Sequence, residues 1–407
     1  MRSIIAAFGL LSAVLVANAA AEEPCDVEGN KEVPEWRTRC DAAIKDEKNP
    51  KRLAMLLFGR AYLAVENYRY APALEDLDAA VAADPDCIRC RHERAYLNAE
   101  FGNYSQAIAD LDYEIKLMPK SSSAYTERAF ARTFSGDLAG GYQDRARVLE
   151  LEPDSIDALL GRSDAALWLG KFEEATADAA QAQAFAKEAV DDKAQERARK
   201  SLEEIKLWRT TSRGPKAAER CVVKSLEATD SKILIGDCTR AFLEANDPAA
   251  KANALTTRST AWTVLANSPD NAALDMRVAA GLDPGNHERY INLGYAYLGT
   301  SHSWAAKREF ERALALQRSP LALVGRAVAR MHLDDAKGAE SDALESMKLE
   351  PTMGAAYVLA HLAFDAGNKD RAREMYLVAY RMGSRSDLLF ARLKELGVAD
   401  PAAVKAP

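Results

Sequence analysis

The sequence predicts an all-α chain, an α-solenoid of antiparallel helix pairs laid out as two consecutive arcs. Three observations predict it. Residue types recur at a step of 34, each unit reads as two amphipathic helices closed by a proline, and a longer offset of 198 relates the two halves. Counting from Arg60-Ala61, the short step gives Arg94-Ala95, Arg128-Ala129 and Arg162-Ser163. It also joins Asp76, Asp110, Asp144 and Asp178, the glycines 102, 136 and 170, and Tyr70, Tyr104, Leu138 and Phe172. Pro85, Pro119 and Pro153 keep the same step, and with only 15 prolines in 407 residues chance is a poor source of that recurrence. In each unit the first helix carries Arg-Ala-aromatic and ends near the glycine. The second begins around Ala73, Ala107 or Ala175 and runs to the proline, which cannot continue a helix and turns the chain into the next unit.

This spacing resembles the tetratricopeptide repeat (TPR), whose pattern has small residues at positions 8, 20 and 27, an aromatic at 17, a bulky residue at 24 and proline at 32. With position 1 at Ala54, Ile88, Ser122 and Ile156, the first small column is Ala61, Ala95, Ala129 and Ser163, and the second is Ala73, Ala107, Gly141 and Ala175. The chain departs from the pattern at position 11, where Ala64, Asn98, Arg132 and Ala166 replace the usual Tyr, and at Lys187, which stands where the fourth unit should close with proline. In the second half, Gly294, Ala296, Tyr297, Ala306, Phe310 and Ala313 match without a gap, and Arg326-Ala327, Ala339 and Pro351 make a further unit. A unit from Arg258 to Pro284 carries a one-residue insertion, and one from Ala356 to Ala379 a one-residue deletion, for eight units in all. The offset of 198 pairs Cys40 with Cys238, Arg60 with Arg258, Arg128 with Arg326 and Asp144 with Asp342. The resemblance therefore implies a duplicated four-repeat TPR superhelix, with modules at 22–209 and 221–397. The charged stretch Asp191 to Trp208 is expected as a solvated capping helix, 210–220 as a linker broken at Thr210 to Pro215, and 398–407 as a frayed tail.

Met1-Arg2-Ser3, an apolar run from Ile4 to Val16 and the small residues Ala17 to Ala21 predict a signal peptide over 1–21, cleaved on export. The run is about 13 residues, short of the roughly 20 that span a bilayer as a helix. Glu22-Glu23-Pro24 before Cys25 disfavour a lipid-modified cysteine. No later stretch reaches spanning length, so a periplasmic or secreted chain is expected, and the Ala-rich, Lys-poor signal suits a GC-rich Gram-negative bacterium. The net charge of −7 provides no basic field for a phosphate backbone, which excludes nucleic acid as the expected partner.

Six cysteines in an exported chain predict disulfides. Duplication suggests Cys25 with Cys40 and Cys221 with Cys238, each clipping the exposed N-terminal edge of a module, where a loop of about 15 residues contributes roughly 3 kcal/mol. Cys87-Ile88-Arg89-Cys90 opens a helix and is read as a local staple. A redox role is the alternative, disfavoured because no strand precedes the helix, and a metal role is weaker still with only His92 near in sequence.

In proteins of this resemblance the first helix of each unit lines the concave face. Carried over, position 9 gives Tyr62, Tyr96, Phe130 and Asp164, and position 5 gives Phe58, His92, Thr126 and Leu160. Phe58, Tyr62, His92, Tyr96, Thr126 and Phe130 are thus the expected groove for an extended or helical peptide. The second module offers a less aromatic position 9: Thr260, Tyr295, Val328 and Leu362. The Arg60/Asp76, Arg94/Asp110, Arg128/Asp144 and Arg162/Asp178 columns are expected as ion pairs tying helices together, rather than as a ladder that grips a client's carboxylates. No G-x-x-x-x-G-K-[ST], H-E-x-x-H or G-x-S-x-G occurs and the five histidines are scattered, so no enzyme, cofactor or metal is expected. The function expected is an interaction scaffold for a protein or peptide client of the cell envelope, monomeric by default although solenoid ends can pair. The alternatives are a small-molecule or glycan receptor using a cleft between modules, and a redox protein using Cys87 and Cys90.

Overall fold

The structure, a computed structural model, describes residues 25, 33–66, 69–210, 216–222, 230–265 and 268–403. The expected signal segment, residues 211–215 of the linker and the end of the tail lie outside them. Among the described residues every regular element is helical, as the sequence predicts.

A single helix α1 (Val33–Asp46) precedes four pairs: α2 (Pro50–Glu66) with α3 (Tyr70–Ala83), α4 (Ile88–Glu100) with α5 (Tyr104–Leu117), α6 (Ser122–Phe134) with α7 (Leu138–Leu151), and α8 (Ile156–Trp168) with α9 (Phe172–Glu188). The charged helix α10 (Asp192–Thr210) and a short turn α11 (Ala217–Arg220) lead to a second single helix, α12 (Ser231–Glu244). Four more pairs follow: α13 (Pro248–Thr260) with α14 (Pro269–Leu282), α15 (His287–Gly299) with α16 (Ser303–Leu316), α17 (Pro320–Met331) with α18 (Ala336–Leu349), and α19 (Met353–Asp365) with α20 (Lys369–Arg381); α21 (Asp387–Glu395) closes the chain. The helix bounds carry the duplication. Both ends of α1 and of α7 reappear 198 residues later as the ends of α12 and α18. The inserted residue near Arg258 is absorbed as a π-helical turn, Ala261–Leu265, at the end of α13.

The chain falls into two compact units, Met1–Leu97 and Asn98–Pro407. In the first, Ala54, Leu57, Ala80, Val81 and Cys90 form a small core between α2, α3 and the start of α4. Alanines with almost no exposure, such as Ala61, Ala73 and Ala80, let the helices approach closely. All three expected disulfides are present, Cys25–Cys40, Cys87–Cys90 and Cys221–Cys238, with Cα–Cα distances of 5.0, 5.3 and 4.7 Å.

In the second unit the later helices run back along the earlier ones. The turns inside successive pairs reuse a left-handed residue: Gly102, Gly136 and Gly170 early, Ser301, Asp334 and Gly367 late. The early three are pressed upon in reverse order. A side chain at Gly170 would meet Leu243 of α12, one at Gly136 would meet the carbonyl of Gly281 in α14, and one at Gly102 would meet Arg312 of α16. Glycine is therefore needed twice over at 136, for its φ of +92° and for backbone approach. Around this seam Phe101 lies on Trp304 with ring centroids 4.1 Å apart. Arg312 donates to the Phe101 carbonyl at 2.6 Å, and Arg308 and Arg312 both donate to Asn103 Oδ1. A core cluster runs without interruption from Phe134 and Trp168 through Trp208, Ala217 and Cys221 to Phe242 and Ala279.

A Cβ on Gly281 would sit 2.2 Å from the Phe134 carbonyl oxygen, which is backbone and cannot swing aside. Gly281→Val is expected to destabilise the protein by about 2–3 kcal/mol through overpacking, read as a lower urea midpoint, whereas Gly367→Ala, with open space around it, strains only its own turn and leaves the seam protected from proteolysis.

Candidate functional site

The residues expected to line the concave face fall into separate surroundings. In the first unit Phe58 and Tyr62 on α2 and His92 and Tyr96 on α4 are all half-buried. The two helices lie side by side at their N-terminal ends, where Cys90 Sγ is 3.9 Å from the Ala54 carbonyl oxygen. The Arg89 guanidinium stands 5.3 Å over the Phe58 ring, which also packs on the core below. These four side chains form a strip of rings on neighbouring helices. Three of the four carry a polar atom as well as a ring.

Thr126 and Phe130 belong to α6 in the second unit. Thr126 is half-buried. Phe130 is engaged by its own chain: Phe134 packs edge-on at 4.6 Å, and the buried Arg277 of α14 places its guanidinium 4.7 Å above Phe130 and 4.2 Å above Phe134. Sequence reading gave Phe130 the same standing as Tyr62 and Tyr96, because the residue that covers it lies almost 150 positions away. The signal that could have shown the difference is the glycine at 102, 136 and 170, where the later half has serine and aspartate at two of three.

The Arg/Asp columns form a regular lattice. Arg60, Arg128, Arg162 and Arg326 each donate from Nε and Nη2 to both carboxylate oxygens of Asp76, Asp144, Asp178 and Asp342, at 2.6 to 3.0 Å. The remaining Nη1 reaches back to the preceding helix, from Arg60 to Asp41 and from Arg128 to Asp112, while Arg94 makes the same backward contact with Asp78 at 3.1 Å. Asp110, the expected partner of Arg94 on α5, is buried. Arg258 is the extreme case. At 1% exposure it holds Asp275 with two bonds and Thr239 with a third, and lies 4.1 Å from the Trp208 ring and 5.4 Å from Trp168. The π-helical turn lets this pair keep its bidentate geometry across 17 residues where the others span 16.

Asp164 ends the position 9 column on α8. Its side chain is exposed, and loss of water on its protein side pushes its carboxyl up to about 6 against the pull of Arg145 and Arg197. On α10, Glu204 is pushed up to about 7 by burial and then by the Asp164 charge. Sequence reading missed Glu204, since α10 looked like a solvated cap.

Among the described residues no group of three or more His, Cys, Asp or Glu could hold a metal ion, and no helix is long and apolar enough to cross a membrane. No family model matches the chain, and no curated protein does. Among solved structures, a tetratricopeptide repeat protein from Parabacteroides merdae aligns over 84% of this chain and 98% of its own, at 13% identity and a TM-score of 0.30. Yeast Tom70 aligns over 85% and 95%, at 13% identity and 0.31, and the TPR domain of P58(IPK) over 76% and 97%, at 15% identity and 0.28.

Two outcomes follow from these surroundings. Arg94→Asp sets a carboxylate against Asp78 and is expected to lose about 2 kcal/mol of stability in urea unfolding with client capture changed only in proportion; lost capture at unchanged stability would move Arg94 into the binding face. Because Asp164 and Glu204 titrate higher folded than unfolded, their ionisation opposes folding as pH rises from about 4 to about 7. The double variant Asp164→Asn, Glu204→Gln should therefore melt higher than the parent at pH 8, with the gain shrinking to nothing near pH 4.

Proposed function

We propose that this chain is a non-enzymatic interaction scaffold of the bacterial cell envelope, exported by a cleaved segment at 1–21, which holds an extended or helical segment of a client protein against the inner helices. The observation that carries the reading is the strip formed by Phe58, Tyr62, His92 and Tyr96, half-buried rings repeating one unit apart on adjacent helices. Side chains of a bound segment would fill the spaces between such rings, with affinity from apolar and aromatic burial and without any bond made or broken. Three disulfides support an oxidising compartment.

The other readings have less behind them. A small-molecule or glycan site between the halves must contend with backbone meeting backbone where Gly136 faces Gly281. A redox role for Cys87 and Cys90 must contend with a fully buried Cys90 at a helix start that no described strand precedes.

Affinity capture from envelope extract, followed by peptide identification, should return the same client repeatedly. Tyr62→Ala with Tyr96→Ala should weaken that capture by at least about tenfold, the loss of two well-packed rings, at an unchanged melting temperature. Capture indifferent to both changes would remove the strip from the binding face, and no reproducible client would remove the scaffold reading.

A further inference from the structure

We infer that Arg145 of α7 reaches across to the open face of α8 at Gly161 and there holds one carboxylate of the bound segment, an acidic side chain or a chain terminus. This rests on the segment-binding reading above and names the chemistry the partner brings to one helix.

The position is set by packing. At the step of 34, Arg145 stands where the other units have Leu77, Leu111 and Ala179, and the offset of 198 pairs it with Ala343; all four are buried in the seam between helices. Phe310, which fills the bulky place of its own unit, lies across Gly325 of the following helix. Arg145 takes the same route with a charged group: its Cδ, Cζ and Nη1 lie 3.2, 3.3 and 3.0 Å from the point where a Cβ on Gly161 of α8 would stand. Helical spacing puts Asp157, Gly161 and Asp164 on one face of α8, and both aspartates are exposed. The guanidinium therefore leaves the seam on a strip that meets solvent, which fits its half-buried state.

A second, independent feature is the accounting of partners. Among the described residues Arg145 is the one half-buried arginine with no hydrogen bond, no ion pair and no ring against its guanidinium. The acids around it are engaged or too far to bond. Asp144, its neighbour in sequence, is held by Arg128 and Arg132. Asp157, one turn before Gly161, takes Arg197 of α10 at 2.6 Å. Asp164, one turn after, pulls on the Arg145 charge without a hydrogen bond to it.

A partly desolvated guanidinium whose donors lack acceptors is costly, and burial here disfavours its charge. A planar carboxylate answers both faults, since it accepts two parallel bonds from one edge of the fork and neutralises the charge. The arginine forks on Asp76, Asp144 and Asp178 show the same pairing made inside the chain. Asp164 sets the limit on what is accepted. A single negative charge is drawn in by Arg145, whereas a phosphate, with nearly two, is pushed back by the acid one turn away.

The test uses the full-length protein and two displayed libraries of short random peptides, one with free C-termini and one with both ends joined to the carrier. Peptides retained by the parent but not by the variant Arg145→Leu are expected to share a carboxylate at a fixed position, and the library that yields them tells a chain terminus from a side chain. Changing that carboxylate to its amide in a synthetic peptide should weaken binding ten- to a hundredfold, the range of a charge-assisted hydrogen bond. Arg145→Leu should bind acid and amide peptides alike, as weakly as the parent binds the amide. It should also melt no lower than the parent, because leucine fills the same place at 77 and 111. Arg145→Lys, which keeps the charge and loses the fork, should fall between the two, and phosphoserine in place of the acid should bind no tighter than the acid. Three results would overturn the carboxylate site and leave the segment-binding reading standing: enriched peptides indifferent to Arg145, an amide change that costs as much on Arg145→Leu as on the parent, or binding lost only in proportion to stability. Enrichment of no peptide at all would overturn both.

Discussion

A guanidinium held in a carboxylate fork, recurring across the helix pairs at Arg60, Arg128, Arg162, Arg258 and Arg326, is the interaction on which the stack depends. The small side chains at Ala61, Ala73 and their equivalents set how close the helices come, but methyl groups are indifferent to angle. A bidentate arginine is not, because both nitrogens must meet both oxygens in one plane. Its third nitrogen, reaching back from Arg60 to Asp41 and from Arg128 to Asp112, ties each pair to the helix before it. One residue type thus fixes geometry within a pair and between pairs. Partial exposure of most of these arginines limits what each contributes to stability, so the column specifies arrangement more than it supplies free energy.

At Arg258 the same device is taken to its limit and changes role. Buried against Asp275 and flanked by two indoles, it anchors α10 and α8 of the earlier half to the first pair of the later one. Breaking such a pair leaves a charge with no water to turn to, and that makes the joint between halves a unique arrangement instead of a pliable hinge. The doubling back that follows takes Phe130 out of the set of inner rings, since Arg277 must occupy that face for α14 to reach the Gly136 turn.

Much of the fold was legible because a 34-residue period writes itself into local columns: helix pairs, closing prolines, the Arg/Asp fork and the cysteines at each module's start all concern neighbours in sequence. The seam was not legible for the converse reason. Arg277 meets the Ala99 carbonyl across 178 residues and Arg312 meets Phe101 across 211, and a contact made once at that separation leaves no periodic trace. Its faint mark is a bias, glycine kept at 102, 136 and 170, where the later helices press on the turn, while Ser301 and Asp334 adopt the same left-handed conformation in the later half. The candidate site was half legible in the same sense. Asp164 is conspicuous as the acidic end of an aromatic column, whereas Glu204 belongs to a helix outside the repeat whose many charges hid the one that is half-buried.

The acids Asp164 and Glu204 show how far the chain departs from what folding alone would prefer. Elsewhere the chain matches carboxylates with guanidiniums at hydrogen-bonding distance, down to repeating the Arg132 and Arg330 contacts with Asp144 and Asp342 at 3.0 and 2.9 Å in the two halves. Asp164 and Glu204, which raise each other's cost of ionising instead of sharing a guanidinium fork, depart from that habit, and amides at the same positions would remove the repulsion without changing shape. Helix formation does not need the charge, since neither residue caps a helix or bridges one to the next.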